Sequence, residues 1–472
     1  MRPTPDTWPL EPDPEALRRM IDACADYVVD HVATLPEQHA GDTDGAAALA
    51  ATFREPVPET GRALEEILAR LKPAVLKSFN TAGPGYLAFI PGGGLPTVAL
   101  ADFIGLVANR YVGMVAPSPA LARIEATAIE WLAAIMGYGP GSGGILTSGG
   151  SLSNLSAVVA ARAAKLPEDF LHGTLYISGE AHNSVQKAAR TAGFPERCIR
   201  RVPTDARLRM RADELEKLVV ADRAAGLRPF LVVANVGSTN TGAIDPLPSI
   251  LEVASRHDLW VHADAAYGGF FRIAPGGEAL MPGIERCDSI TLDPHKGLFF
   301  PYGTGCLLVR ERESLRRPYR VAGAYLQDIT GGDEPNFSDI SPELSREFRG
   351  LRVWLPLQLH GLEPFRRQLG EKLELTRWAY GQLKDDPHFE MLDEPQMSVV
   401  AFSVRAPGRD QAALGAEILR RVNARGRVYL SSTSIAGRYV LRICVLSFRT
   451  HIERVRDAVE SLKEEARGLL DS

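Results

Sequence analysis

The chain has 472 residues, 45% hydrophobic and 24% charged, enough for a large core built from two or three structural units. A net charge of −5 leaves no basic footprint for nucleic acid or an acidic membrane surface. No run reaches the roughly 18 apolar residues of a membrane span, the first thirty residues carry no secretory signal, and the five scattered cysteines lack CxxC or metal spacing, which fits thiols in a reducing cytoplasm and no metal site.

Residues 1–14 are Pro-rich and read as extended. From 15 to 34 the apolar residues Leu17, Ile21, Ala25, Val28 and Val32 recur at helical spacing. Residues 40–50 are small and polar and read as a loop. Residues 60–71 predict a second helix, with Thr60 as its cap. Glycine and proline make 80–94 a loop, and 100–136 predicts helices on either side of a Pro-Ser-Pro turn.

Residues 143–165 read as strand, glycine-rich turn and helix. Backbone N–H groups at such a turn make an anion site, assigned to Gly149, Gly150 and Ser151 with Ser148 and Ser153 nearby. The turn has neither the Lys-Ser/Thr of a P-loop nor a dinucleotide fingerprint. Residues 173–187 form another strand leading into a helix, with His182 at the junction, where a histidine is often structural. Residues 228–240 are a buried strand ending in Gly237-Ser238-Thr239-Asn240, and 249–257 a short helix. The strand from Trp260 ends in Asp264, a carboxylate in an apolar run that requires a cationic partner if buried, or else caps the strand end. The strand from Ser289 leads to His295-Lys296-Gly297. A lysine on such a turn is ordinarily solvated; desolvated and facing a cleft, it becomes a nucleophile toward an aldehyde. A Schiff base at Lys296 with Asp264 on a pyridine nitrogen is the arrangement expected for pyridoxal 5'-phosphate. Strands alternating with helices predict a parallel sheet, with the site beyond the carboxyl ends of its strands.

In order and spacing, His262-Ala263-Asp264-Ala265-Ala266-Tyr267-Gly268-Gly269 and Asp293-Pro294-His295-Lys296 resemble the group II pyridoxal-phosphate-dependent amino-acid decarboxylases, the family of aromatic-L-amino-acid and glutamate decarboxylases. The resemblance covers nearly the whole chain. It implies the α/β fold type I architecture: a mainly parallel sheet with helices on both faces, an N-terminal helical arm with a substrate loop (1–95), a cofactor domain (96–370) and a small C-terminal α+β domain (371–472). It implies a homodimer, with the arm across a second subunit. It assigns Lys296, Asp264 and His182 to catalysis, His182 stacking on the cofactor ring. It adds Thr239, Ala266 and His295 as cofactor neighbours and a structural role for Arg442. Phe89, Pro91 and Tyr111 are its substrate residues, with Asn109 to Tyr111 near a neighbouring subunit's cofactor and Arg110 suited to a carboxylate. Three glycines after Ile90 suggest a roomier, less aromatic pocket than that of aromatic-specific members.

Residues 321–345 read as a mobile lid. The family's simple decarboxylases carry a proton-donating tyrosine there. Counting back from Arg346, Phe337 falls at its position, which pulls the expected reaction toward oxidative decarboxylation-deamination to an aldehyde; with a different alignment Tyr325 takes that place. A decarboxylase giving an amine, a β-eliminating C–S lyase, an aminotransferase and a non-catalytic scaffold stay open beside it.

Overall fold

The computed structural model describes residues 10–319 and 336–471. Seven strands form the larger sheet: β1 Gly143–Thr147, β2 Gly173–Ser178, β3 Ile199–Val202, β4 Arg228–Asn235, β5 Trp260–Asp264, β6 Ser289–Leu292 and β7 Gly305–Val309, in the order β1-β7-β6-β5-β4-β2-β3. β3, β2, β4, β5 and β6 pair in parallel, and β7 runs antiparallel between β6 and β1. All strands but β7 therefore end at one edge. β4 is buried from Pro229 to Asn235, as expected of a strand covered on both faces. The helix Gly150–Lys165 approaches the sheet closely because its buried face is small: Gly150, Ser153, Ala157, Ala160 and Ala161.

Four antiparallel strands make a second sheet, β8 Phe389–Met391, β9 Val399–Val404, β10 Ser431–Ile435 and β11 Arg438–Cys444, in the order β10-β11-β9-β8. The helices Glu363–Lys384, Gln411–Ala424 and Ile452–Leu470 contribute Leu375, Ile418 and Val455 to its core.

The N-terminal arm has little core of its own. The helices Pro14–Thr34 and Leu64–Leu76 contain no buried residue. The helix Pro96–Ala108 buries only Val98 and Ala101, while Leu100, Phe103, Ile104, Leu106 and Val107 are exposed. Two local expectations are corrected. The second helix of the arm begins at Leu64, with Ala63 at its cap, so Thr60 caps nothing. The loop at 40–50 contains the short helix Ala46–Ala51, entered through Gly45 at φ 74°. β3, β7, β8 and β10 were not assigned from sequence; β7 was hidden in the glycine-rich run after Lys296.

Candidate active site

The parallel strand ends border a cavity of about 390 Å³. β4, β5 and β6 are in register there, with Asn235 beside Asp264 and Asp264 beside Thr291. Lys296, Asp264, His182, Thr239, Ala266, His295, Ser148, Gly149, Gly150 and Ser151 all line this cavity. Ser153 lies behind the glycine turn, where its hydroxyl pairs with Thr147 Oγ1 at 2.8 Å.

The turn between β1 and its helix is glycine for lack of space. A Cβ on Gly150 would lie 3.0 Å from Asp293 Oδ2, and one on Gly305 would lie 2.5 Å from Gly149 Cα. Open backbone N–H groups at the first turn of a 16-residue helix make this wall an anion cradle.

Asp264 closes β5 and is almost wholly buried. Its Oδ2 accepts from Asn154 Nδ2 at 2.9 Å and its Oδ1 from the Ala266 N–H at 3.3 Å. His182 caps the helix Asn183–Thr191: its Nδ1 accepts the Ser184 N–H at 3.2 Å and pairs with Ser184 Oγ at 2.7 Å. With Nδ1 engaged as an acceptor, the neutral ring carries its proton on Nε2. Burial lowers the His182 pKa, Asp264 partly opposes this, and Lys296 lowers it further.

Lys296 stands on the short helix Pro294–Gly297 that follows β6, its Nζ 3.0 Å from Asp293 Oδ2. His295 Nδ1 donates to the Thr304 carbonyl at 2.7 Å, and its Nε2 is 3.5 Å from the same Asp293 oxygen. Burial lowers the His295 pKa. Arg442 Nη1 donates to the Thr239 carbonyl at 2.7 Å and Nη2 to Ser431 Oγ at 3.0 Å, so its structural role is to hold Thr239 in place from the smaller sheet.

An aromatic aldehyde phosphate fits this donor set. The cradle would take its phosphate, Asp264 its ring nitrogen and Lys296 its aldehyde. Two buried polar atoms of the lining residues, Asn235 Nδ2 and Asp293 Oδ1, have no protein hydrogen-bond partner, so a polar ligand has groups to meet there.

The model of the pyridoxal-dependent decarboxylase conserved domain matches residues 48–405. The chain belongs to this family. It is an enzyme and pyridoxal phosphate is its cofactor. It is similar to the aromatic-L-amino-acid decarboxylase of Bacillus atrophaeus, 32% identical with 96% of each chain covered. It is also similar to the phenylacetaldehyde synthase of Arabidopsis thaliana, 27% identical with 97% of each chain covered. The crystal structure of Oryza sativa TDC with PLP and tryptamine superposes with a TM-score of 0.92 at 26% identity, covering 97% of this chain and 99% of that one. The expected fold type I architecture is the one observed.

Four of the expected site residues lie outside this cavity. Phe337 is a correction. It is 2% exposed and packs in the main core, with the Arg346 guanidinium 4.9 Å from its ring centre. Arg346 is itself fixed by a fully buried ion pair with Glu125 at 2.5 Å. Of the expected lid, residues 321–335, Tyr325 among them, lie outside the described residues. Phe89, Pro91 and Tyr111 do not line this chain's cavity: Phe89 is 56% exposed, Pro91 is buried, and Tyr111 donates its hydroxyl to the Leu344 carbonyl at 3.0 Å. Asn109 and Arg110 are exposed. The loop carrying Phe89 nevertheless touches the site from behind, because Gly92 rests against the carbonyl of His295.

Sequence reasoning missed Asn154, Ser184, Asn235, Ser238, Tyr267 and Asp293 as lining residues. Asn154 had a signal: a polar amide four positions after Gly150, on the small-residue face of an Ala-rich helix. Asp293 sat inside the motif that identified Lys296.

Proposed function

We propose that this decarboxylase removes the α-carboxylate of an L-amino acid and returns a proton to the same carbon, releasing the amine. The observation that carries this reading is the single cavity lined by Lys296, Asp264, His182 and the glycine cradle. Pyridoxal phosphate supplies an electron sink for the breaking Cα bond when bound. The chain's own residues do the rest. The cradle anchors the phosphate through backbone N–H groups. Asp264 keeps the ring nitrogen protonated. His182, on the cavity wall, would cover the ring. Lys296 would be the covalent anchor and move protons, with Asp293 Oδ2 at 3.0 Å to orient its amine.

The aldehyde-forming branch rested on Phe337, and that ring is locked in the core, so the amine is the product favoured here. The aromatic amino acids implied by the names of its relatives are the first substrates to try.

The same reading includes a homodimer. The exposed apolar residues of Pro96–Ala108 and the uncovered arm helices are surface that a second copy would bury. Phe89 and Tyr111 would then serve a neighbouring cavity. Phe89 and Ile90 hold left-handed backbone at φ 51° and 58°, strain worth about 1–3 kcal/mol each of the sort concentrated at functional sites.

The test is purified protein with added pyridoxal phosphate, borohydride reduction with mapping of the modified peptide, then an L-amino-acid panel that includes S-substituted cysteines. Reduction at Lys296, with amine and CO₂ released in equal amounts and no oxygen uptake, is expected. Aldehyde formed with oxygen consumption, or a keto acid formed without CO₂, would overturn the proposed reaction.

A further inference from the structure

Behind Asp264 lies a buried chain of hydrogen bonds. It starts at Trp260, whose indole N–H can only donate. Trp260 Nε1 gives its proton to Ser289 Oγ at 2.8 Å, and the Ser289 hydroxyl pairs with His262 Nδ1 at 2.8 Å. Burial pushes His262 down to about 4, leaving one ring proton at neutral pH. On Nε2, that proton is donated to Asn154 Oδ1 at 3.0 Å. Thr291 Oγ1 donates to the same oxygen at 2.8 Å.

With both lone pairs of its oxygen engaged, the Asn154 amide has one orientation. Its two N–H groups point to Asp264 Oδ2 at 2.9 Å and Ser184 Oγ at 3.0 Å. The reverse orientation would set two oxygens against each other across the Asp264 contact. Asn154 is 1% exposed, so no water competes.

We propose that Asn154 is a positioning residue that aims the Asp264 carboxylate at the ring nitrogen of the cofactor. Its amide engages Oδ2 and leaves Asp264 Oδ1, with one long backbone contact, as the oxygen open to the ring. This rests on the cofactor placement given above.

The experiment compares two cofactors on wild type and Asn154→Ala by equilibrium binding: pyridoxal phosphate, and its analogue with CH in place of the ring nitrogen. A charge-assisted hydrogen bond of the kind Asn154 makes is worth roughly tenfold or more in affinity. Asn154→Ala should therefore weaken pyridoxal phosphate by about tenfold or more and the analogue by less than about threefold, because the analogue has no ring proton for Asp264 to hold. Equal losses for both would make Asn154 merely structural and overturn the proposal. Thr291→Val, which removes one of the two donors that orient the amide, should show the same selectivity at about threefold. It decides the matter if circular dichroism shows Asn154→Ala unfolded, and equal effects on both cofactors would again refute the idea. Wild type that binds neither cofactor would sink the underlying cofactor reading as well.

Discussion

Gly92→Ala tests how the loop at 80–94 and the lysine turn are joined. A Cβ on Gly92 would lie 1.8 Å from the carbonyl oxygen of His295 and 3.2 Å from that of Phe300. Real Cβ contacts essentially never fall under 3.0 Å, so at least 1.2 Å must open between loop and turn. The loop cannot retreat. Leu95 N–H donates to the Phe299 carbonyl at 2.7 Å, and Arg449 donates to the Ala82 carbonyl at 3.0 Å and to the Gly93 carbonyl. A Cβ on neighbouring Gly93 would already touch Ser447 Oγ at 2.7 Å, so the small sheet backs the loop closely. The displacement therefore falls on the turn carrying Lys296. A misplacement of about 1 Å at a reacting group costs on the order of 10²-fold in rate, while overpacking costs about 1–3 kcal/mol in stability. The assay is turnover of the best amino acid, together with the fraction of chains fixed to pyridoxal phosphate by borohydride and a circular-dichroism check on folding. A folded variant with turnover within threefold of wild type and normal trapping would refute the argument.

Phe337→Tyr should bury a hydroxyl with no partner, lowering stability by about 1–3 kcal/mol and leaving the ratio of amine to aldehyde unchanged; a change in product by mass spectrometry would return that residue to the cavity. His262 sits at about 4 in the fold against about 6.5 unfolded, so below pH 6.5 the unfolded chain takes up a proton that the native one refuses. Its contribution is complete above about pH 6.5 and is lost as pH falls through about 4, roughly 3 kcal/mol in all; urea midpoints at pH 7 and 4.5 should show a shallower acid slope for His262→Gln than for wild type. Glu125→Gln strands the wholly buried Arg346 without its counter-charge and should cost about 3–5 kcal/mol by chemical denaturation. Leu106→Glu with Val107→Glu, at positions 61% and 70% exposed, should convert the proposed dimer to monomers in sedimentation without unfolding the chain.

What the sequence disclosed follows the chemistry each residue must do. Lys296 and Asp264 were legible because a nucleophilic amine and a buried acid admit few substitutes, and each ends an apolar strand run. The parallel sheet was legible from those runs as well. β7 was not, because its placement depends on a contact between distant glycines: Gly305 lies directly against Gly149. Thr60 was misread as a cap because cap preference is local, whereas the Arg62–Glu55 ion pair at 2.9 Å belongs to the segment before the helix. Phe337 was placed by counting back from Arg346, which carries no information on burial, and its ring packs in the main core.

Asp264 and Asp293 illustrate the limit most clearly, since one residue type does two jobs in one cavity. Asp264 is held by neutral dipoles, the Asn154 amide and the Ala266 N–H. Such donors fix the direction in which the side chain points, which suits an acid that must face a ring nitrogen. Asp293 Oδ2 faces a movable ammonium at 3.0 Å, and its Oδ1 has no protein donor at all. That environment suits an acid that holds and orients the Lys296 amine by its charge. The difference lies in the neighbours and not in the aspartates. Asn154 reaches Asp264 across 110 positions of chain, whereas Lys296 is three residues from Asp293. Only the second of these pairings could be read along the chain; the first exists only once the Ala-rich helix lies across β5.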